Sequence, residues 1–286
     1  MPRSLKPFLD KLYKTFDRRY LDSDPLTFVH RYAERADQEV VGFLAAGLAF
    51  GNVRSIQGSL ERLLGVLGPN PHAFVLRFDP ARHTESLPAT VHRWIRRHDA
   101  ARTLVVLRRL LRDHGSLEAA FAAGDDPGAP TVEQGLAAFA SRARALDPGP
   151  LGGEAPKVGR PNGAAYFFPS PAGGGACKRL NLFLRWMVRG GDGLDLGLWS
   201  AVDPSRLLIP LDTHVARISR AIGLTRLRTA GLSMVREVTA GLRRLDPTDP
   251  VKYDFALARL GILKWCPSRR TPGRCDECPL ETVCIL

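Results

Sequence analysis

Four of the five cysteines in this chain lie close together near its C-terminal end, and they restrict how that part can fold. Cys266, Cys275, Cys278 and Cys284 follow an apolar, helix-like segment with the spacing C-x8-C-x2-C-x5-C. Four unliganded thiols this close together would oxidise or cross-link. Four thiolates can instead close a tetrahedral Zn²⁺ site or hold a [4Fe–4S] cluster. The spacing therefore predicts a metal centre and leaves zinc and iron–sulfur both open.

The charge balance of the chain predicts an acidic partner. Among 286 residues, 41 Lys and Arg stand against 29 Asp and Glu, which gives a net charge of +12. A positive net charge of this size favours nucleic acid as the partner, and an anionic membrane as the second choice. It can also serve solubility alone. No segment approaches the roughly 20 apolar residues that span a bilayer, and the N-terminal segment is short of a signal-peptide core. We therefore expect a cytoplasmic monomer with reduced thiols and no membrane partner.

Most of the chain shows the apolar periodicity of helices, so the sequence predicts an all-α fold. The alternation of apolar and polar residues that is typical of strands is scarce, and no sheet is expected. Residues 147–176 are rich in glycine and proline, which predicts a surface loop. The predicted helical segments are residues 40–67 (interrupted at Gly51), 101–113, 132–146, 178–188, 213–222, 232–245 and 253–265.

The cysteine segment resembles a known family. The run ARLGILKWCPSRRTPGRCDECPLETVC is similar to the iron–sulfur tail of the endonuclease III and adenine-glycosylase branch of the helix-hairpin-helix DNA glycosylases. The resemblance implies a [4Fe–4S] cluster, with zinc as the alternative. The loop between the first two cysteines is longer here than is usual in that family. It carries Arg269, Arg270 and Arg274, to which the resemblance assigns contacts with DNA phosphates. Without that resemblance, the loop with these three arginines would be interpreted as a basic turn exposed to solvent.

A second resemblance lies upstream, in the run PLDTHVARI at residues 210–218. It is similar to the segment that carries the essential aspartate of these glycosylases. The resemblance implies that Asp212 is the catalytic carboxylate and that Arg217 contacts a phosphate or a carboxylate. An aspartate in front of a helix is also a common N-cap. The cysteine tail further along the chain favours the catalytic interpretation.

The same family places a glycine hairpin and then a catalytic lysine at the start of a helix. Here Gly173, Gly174 and Gly175 precede Lys178 and the helical run RLNLFLRWMV. The resemblance implies that Lys178 is the nucleophile and that the glycines and Arg179 approach a phosphate. The hairpin departs from the usual Leu-Pro-Gly-x-Gly-x-Lys form. Lys178 and Asp212 are 34 residues apart, which is longer than in endonuclease III. This separation resembles the stretched spacing of the archaeal 8-oxoguanine glycosylase branch, and the resemblance favours an oxidised purine as substrate.

The chemistry of base removal explains why both groups are needed. Loss of a base leaves positive charge on the sugar, which the carboxylate of Asp212 can stabilise. A lysine attacks only as the neutral amine, and the resulting Schiff base permits strand cleavage by β-elimination. The damaged nucleotide has to leave the duplex stack. Asn52 is the candidate to fill the gap, and it is also suited to an ordinary turn after Gly51.

The resemblance implies two helical lobes around a DNA-binding cleft. Residues 39–190 would form the central lobe, with the hairpin and Lys178. Residues 1–38 and 191–286 would form the other lobe, with Asp212 and the cluster. The expected protein is a base-excision glycosylase and abasic-site lyase that acts on double-stranded DNA with a damaged base. The alternatives are a non-catalytic iron–sulfur DNA-binding protein of the same fold and a zinc-containing RNA-binding protein. The presence of both Lys178 and Asp212 favours the enzyme.

Overall fold

The computed structural model describes residues 4–151 and 163–285, and this part of the chain is mostly helical. Helices account for 57% and strands for 3%, which confirms the all-α class. In chain order the helices are α1 (Lys6–Thr15), α2 (Leu26–Val29), α3 (Arg35–Leu48), α4 (Val53–Leu67), α5 (Pro71–Arg77), α6 (Pro80–His83), α7 (Arg97–His114), α8 (Leu117–Ala122), α9 (Glu133–Ala145), α10 (Gly163–Phe167), α11 (Lys178–Val188), α12 (Thr213–Ala221), α13 (Leu232–Arg243) and α14 (Asp254–Ile262).

A small β-hairpin interrupts the helices, which the sequence did not predict. Strands β1 (Thr90–His92) and β2 (Ile95–Arg96) pair antiparallel, with Thr90 opposite Arg96. Arg93, in the turn between them, has a positive φ of 51°. Strands of two or three residues are too short to show a periodic pattern, so the expectation of no sheet was wrong at this point.

The predicted break at Gly51 separates α3 from α4. Gly51 has a φ of +92°, in the left-handed region that disfavours other residues. A Cβ atom added there would lie 2.8 Å from the guanidinium of Arg93. Both the backbone conformation of Gly51 and its close contact with Arg93 therefore require glycine at this turn.

The core is built around the packing of α11 against α3. Gly42 of α3 allows this close approach, because a Cβ atom there would lie 2.7 Å from Met187 of α11. Gly47 of α3 faces α10 instead, where a Cβ atom would lie 2.6 Å from the ring of Phe167. The ring of Phe43 stacks against that of Phe167 and meets that of Phe183 of α11 edge-on. The nine residues that follow Arg179 in α11 are all buried. This packing fixes the start of α11, and with it Lys178, against the end of α3.

The predicted loop and lobes are only partly described by the structure. Residues 152–162 lie outside the described part of the chain, and residues 163–167 form α10 where a loop was expected. Apolar residues from Leu9 to Leu280 form one continuous core cluster, which includes members of both predicted lobes. The division into two lobes stays a prediction. Every helix within residues 4–151 and 163–285 is too short or too polar to span a bilayer.

Candidate functional site

Lys178 is the first residue of α11, and its side chain reaches back to the end of α3. The preceding residue, Cys177, is in the left-handed region, with φ 46°. Asn181 ties this turn to the helix by donating a hydrogen bond to the carbonyl of Ala176 at 3.1 Å. The Nζ of Lys178 donates to the carbonyl oxygen of Ala49 at 2.6 Å. The amine is therefore held at a fixed position between α3 and α11.

The amine of Lys178 is partly removed from water and has no direct ion pair. Burial lowers the pKa of Lys178, while the charges of three carboxylates, those of Asp212, Asp24 and Asp254, act in the opposite direction. In the described part of the chain, no carboxylate oxygen lies within 4.0 Å of its Nζ. A desolvated amine without a bound counter-ion is the environment that favours a nucleophilic lysine.

Asp212 is the N-cap of α12. Its Oδ1 accepts a hydrogen bond from the backbone N–H of Val215 at 2.8 Å, and the residue is half-buried. The N-cap interpretation is thus observed. The cap uses one oxygen, and among the described residues no hydrogen bond to Oδ2 is found. The charge of Asp212 also acts on Lys178, so the cap and an electrostatic role coexist in one side chain.

A buried charge cluster that sequence reasoning missed lies close to these two residues. Asp254, the first residue of α14, is 2% exposed, and its Oδ2 is bound to Arg185 of α11. Burial first, and then the charge of Asp212, raise the pKa of Asp254 to about 6, against the effect of Arg185. Arg185 also donates to Asp195 at 3.0 Å. The only sequence signal was the presence of charged residues within apolar helical runs.

Gly173, Gly174 and Gly175 form an exposed turn before α11. Gly174 has a φ of +74°, and a Cβ atom added to any of the three would meet nothing within 4 Å. The turn is held by the backbone N–H of Leu232, which donates to the carbonyl of Gly174 at 2.9 Å. The three glycines are exposed, but the N–H groups of Gly173 and Gly174 already donate to the carbonyls of Ser170 and Pro171.

Arg179 and Arg217, two of the arginines for which the resemblance implies contact with a phosphate, are engaged within the protein. The guanidinium of Arg179 lies 3.6 Å from the centroid of the Tyr166 ring, and burial lowers the pKa of Arg179. Arg217 donates to the sulfur of Cys266 at 3.1 Å and to the carbonyl of Pro267 at 2.7 Å. In this conformation Arg217 links α12 to the cysteine segment, and phosphate contact by either arginine stays a prediction.

Asn52 is exposed and caps α4. Its Oδ1 accepts a hydrogen bond from the backbone N–H of Arg54 at 2.9 Å. The turn interpretation is therefore observed. Asn52 also lies three residues after Ala49, whose carbonyl binds Lys178. Its place in the gap left by a flipped nucleotide stays a prediction.

An aromatic patch borders the site, formed by Phe50, Trp94 and Tyr166. The ring of Phe50 lies 4.8 Å from that of Trp94 and 5.5 Å from that of Tyr166. Trp94 is 38% exposed, and the guanidinium of Arg93 lies 5.4 Å from its ring centroid. Phe50 follows Ala49, which accepts the hydrogen bond from Lys178, and Tyr166 contacts Arg179, the residue after Lys178. The patch was not predicted, because the hairpin that carries Trp94 was not predicted.

The four clustered cysteines line one small cavity. It has a volume of about 30 Å³ and is also lined by Arg270 and Glu281. The sulfur of Cys275 accepts a hydrogen bond from the backbone N–H of Thr271 at 3.3 Å. Burial first, and then the neighbouring thiols, raise the pKa of Cys278. The structure thus brings Cys266, Cys275, Cys278 and Cys284 to one cavity, and their role as metal ligands stays a prediction.

The side chains of this cavity have the chemistry that a metal centre needs, but their present positions are not those of a site for a single metal ion. Four thiols with N–H donors to two of the sulfurs suit Zn²⁺ or an iron–sulfur cluster. Within residues 4–151 and 163–285, however, no three His, Cys, Asp or Glu side chains are arranged closely enough to hold a metal ion. The four sulfurs thus line the cavity without forming a ready-made site for a single metal ion in this conformation.

The three arginines of the cysteine loop are exposed. Arg270 donates to Glu281 at 3.1 Å and lies 3.7 Å from Asp276. Arg269 and Arg274 make no ion pair with any described residue. These two side chains are thus available to an external anion, whereas Arg270 is partly neutralised.

The comparison with known proteins identifies a family without a described activity. The family model described as "Protein of unknown function (DUF2400)" matches residues 24–263, a range that includes Lys178, Asp212 and Asp254 and ends before the four cysteines. No curated protein and no solved structure matches the chain significantly. Because the model matches well over half of the sequence, the chain belongs to the DUF2400 family.

Proposed function

We propose that the chain is a helix-hairpin-helix type DNA base-excision glycosylase with abasic-site lyase activity, in which Lys178 is the nucleophile. The observation that carries the proposal is the environment of its amine. The amine is withdrawn from water, has no ion pair in the described part of the chain, and lies close enough to Asp212 for the carboxylate charge to act on it. An ordinary lysine at a helix start is solvated and protonated at neutral pH.

The proposed reaction begins with the neutral amine of Lys178. Burial favours this form, and the carbonyl of Ala49 accepts a hydrogen bond that orients the nitrogen. The nitrogen attacks the anomeric carbon of the deoxyribose, and the bond between that carbon and the base breaks. The covalent aminal then opens to a Schiff base, from which β-elimination cleaves the strand.

Asp212 has the proposed role of stabilising the positive charge that develops on the sugar. Its hydrogen bond with Val215 fixes the side chain at the start of α12, so little reorganisation is needed during the reaction. One oxygen is used by this cap, which leaves the other available to the sugar. The carboxylate also helps to orient or deprotonate Lys178.

Three surfaces support double-stranded DNA with a damaged base as the ligand. The glycine turn is exposed just before the start of α11, where no side chain would obstruct a phosphate. In the aromatic patch, the ring of Trp94 is 38% exposed and is available for stacking against a base outside the duplex. The basic loop supplies Arg269 and Arg274, within a chain of net charge +12. We propose an oxidised purine such as 8-oxoguanine as substrate, with Asn52 in the gap that the flipped nucleotide leaves.

The four cysteines are proposed to hold a [4Fe–4S] cluster, with zinc as the alternative. When bound, the metal centre would cross-link the loop that carries Arg269 and Arg274, and the proposed reaction needs no other chemistry from it. We propose that the protein is a monomer and that it acts in the cytoplasm, where it has access to DNA.

The proposal is tested with duplexes that carry 8-oxoguanine, an oxidised pyrimidine or an abasic site. The wild-type protein is expected to release one of the bases and to nick the abasic strand. Lys178→Ala should abolish nicking, whereas Lys14→Ala, a change at an exposed lysine of α1, should leave it intact. Asp212→Asn should lower base release by at least about 100-fold, because it removes the charge. Since asparagine also caps helices well, this variant keeps the start of α12.

Two results would contradict the proposal. One is strand cleavage by Lys178→Ala at the wild-type rate. The other is tight binding of all duplexes without any base release or nicking, which would favour a non-catalytic DNA-binding protein of the same fold.

A further inference from the structure

The loop between α12 and α13, residues 222–231, is a second exposed segment next to the start of α11. Its last residue, Gly231, forms an isolated antiparallel bridge with Gly175 of the glycine turn. Gly175 precedes Lys178 by three residues. The α12–α13 loop therefore lies beside the segment that carries the proposed nucleophile.

Hydrogen bonds hold the α12–α13 loop in place. The hydroxyl of Thr225 donates to the carboxylate of Glu237 in α13 at 2.6 Å and accepts from the backbone N–H of Leu227 at 3.1 Å. Arg220 of α12 donates to the carbonyl of Arg228 at 3.4 Å. A loop with a fixed backbone loses little conformational freedom when its side chains bind a ligand.

Two arginines, with a leucine between them, form the exposed part of this loop. Arg226 and Arg228 are exposed, and neither forms an ion pair with any described residue. Leu227 is 39% exposed. The planar guanidinium group can donate two parallel hydrogen bonds to one phosphate. The loop thus presents two uncompensated positive charges beside the glycine turn.

We propose that Arg226 and Arg228 bind phosphates of the DNA strand that carries the damaged nucleotide, and that they align this strand with Lys178. The strand that Lys178 attacks has to pass next to the start of α11, so its phosphates are those that the loop can reach. The inference rests on the proposed function for the identity of that strand. Contacts with phosphates set affinity and register, and they carry no information about the base.

An anionic membrane is the other partner that a basic loop with an exposed leucine could bind. One partly exposed leucine offers little apolar area for insertion into a bilayer, and stable anchoring to a membrane takes more than one such signal. The position of the loop beside Lys178 favours DNA. Membrane binding is therefore an outcome of the test and not the proposal.

The test measures binding to two duplexes, one undamaged and one with a tetrahydrofuran analogue of an abasic site, which resists cleavage. The variant combines Arg226→Ala with Arg228→Ala. Each lost phosphate contact should make the slope of log K against log salt shallower by about 1, so the variant should lose about 2. At about 0.1 M salt, its affinity for both duplexes should fall roughly 10- to 100-fold.

The matched control combines Arg77→Ala with Arg112→Ala, which removes the same charge elsewhere. Both arginines are exposed and form no ion pair with any described residue. Arg77 belongs to α5, which starts where the N–H of His72 donates to Asp37 in the first turn of α3. Lys178 lies at the opposite end of α3. The control should keep the wild-type slope.

A second measurement locates the contacts on the DNA. A methylphosphonate replaces one phosphate with a neutral group, and at one or two positions near the lesion on the damaged strand it should weaken binding by the wild type. The same replacement should have no further effect on the arginine variant. A penalty that persists in the variant, or one confined to the opposite strand, would contradict the inference.

The inference is overturned if the slope of the arginine variant equals that of the wild type. An equal change in the control would also overturn it, because net charge alone would then explain the result. If the variant binds DNA normally but loses binding to phosphatidylglycerol vesicles, the loop is a membrane contact instead.

Binding and catalysis can fail separately. If the arginine variant loses DNA affinity as expected but the wild type cleaves no duplex, the phosphate-binding loop stands and the glycosylase proposal falls. If duplexes are cleaved while the slope is unchanged in the variant, the glycosylase proposal stands without this role for the loop. A wild-type protein that binds neither duplex would overturn both.

Discussion

Lys178 and Asp212 each serve a structural and a proposed chemical purpose. The lysine joins α11 to α3 through the carbonyl of Ala49, and the aspartate caps α12. Both contacts restrict the side chains at positions where they influence each other electrostatically. A side chain that is already fixed loses little further freedom when it meets a substrate. The structural contacts therefore support the proposed chemistry and do not compete with it.

The buried carboxyl of Asp254 makes a prediction about stability and pH. Its pKa in the folded protein is about 6, above the ordinary value of 3.8, so between these values the folded state binds more protons than the unfolded state. The contribution of Asp254 to stability is therefore present at low pH and is lost as the pH rises through this window. Asp254→Asn removes that dependence. Its free energy of unfolding relative to the wild type should become more favourable from about pH 4 to about pH 7.

Urea unfolding of both proteins at the two pH values checks this prediction. The free energy of unfolding of Asp254→Asn minus that of the wild type should increase as the pH rises. A constant difference would show that Asp254 has an ordinary pKa in the folded protein.

At the scale of residues, the sequence motifs named Lys178, Asp212 and the four cysteines, but not their surroundings. A motif identifies a side chain by its place in a pattern. The partners of a buried charge come from distant segments, as Arg185 and Asp254 do, and no local pattern connects them. Trp94, whose ring is 38% exposed, belongs to no sequence motif.

Among the elements, the contact between α3 and α11 determines where the candidate site lies. Two glycines of α3 let neighbouring helices approach closely: Gly42 faces Met187 of α11, and Gly47 faces Phe167 of α10. Gly47→Ala is expected to lower the free energy of unfolding by about 1–3 kcal/mol, because the added methyl group would clash with the Phe167 ring. Gly65→Ala in α4 is the matched control. That position is exposed, with nothing within 4 Å, and alanine should stabilise it by about 0.4–1 kcal/mol.

Thermal or urea unfolding of the two alanine variants measures the contrast. Equal effects at Gly47 and Gly65 would mean that the close approach of α3 to Phe167 is not required for the fold.

Helices with a long apolar face were predictable from the sequence. Residues 178–188 coincide with α11, and the predicted segment at residues 40–67 corresponds to α3 and α4 with the break at Gly51. Elements such as α2 and α6 have four residues each, about one helical turn, which is too short to show periodicity. The β-hairpin was missed for the same reason. Since it carries Trp94, the aromatic patch was missed with it.

For the molecule as a whole, the cysteine cavity makes a prediction about metal content. Protein purified without oxygen is expected to contain iron and sulfide, with zinc as the alternative outcome for the same ligands. Cys275→Ser should lose most of the metal. Cys177→Ala should keep it, because Cys177 is buried at the start of α11 and does not line the cavity. Elemental analysis and the visible absorption spectrum measure both variants. Equal metal content in the two would exclude the cavity as the metal site.

The central claim is that the Lys178 amine forms a covalent bond with DNA, and borohydride trapping on a duplex with an abasic site tests it most directly. Borohydride reduces a Schiff base to a stable amine, so the account predicts a protein–DNA adduct whose modified peptide contains Lys178. The adduct should be absent in Lys178→Ala and present in Lys14→Ala. An adduct at another lysine, or none on a duplex that the protein binds and cleaves, would contradict the account.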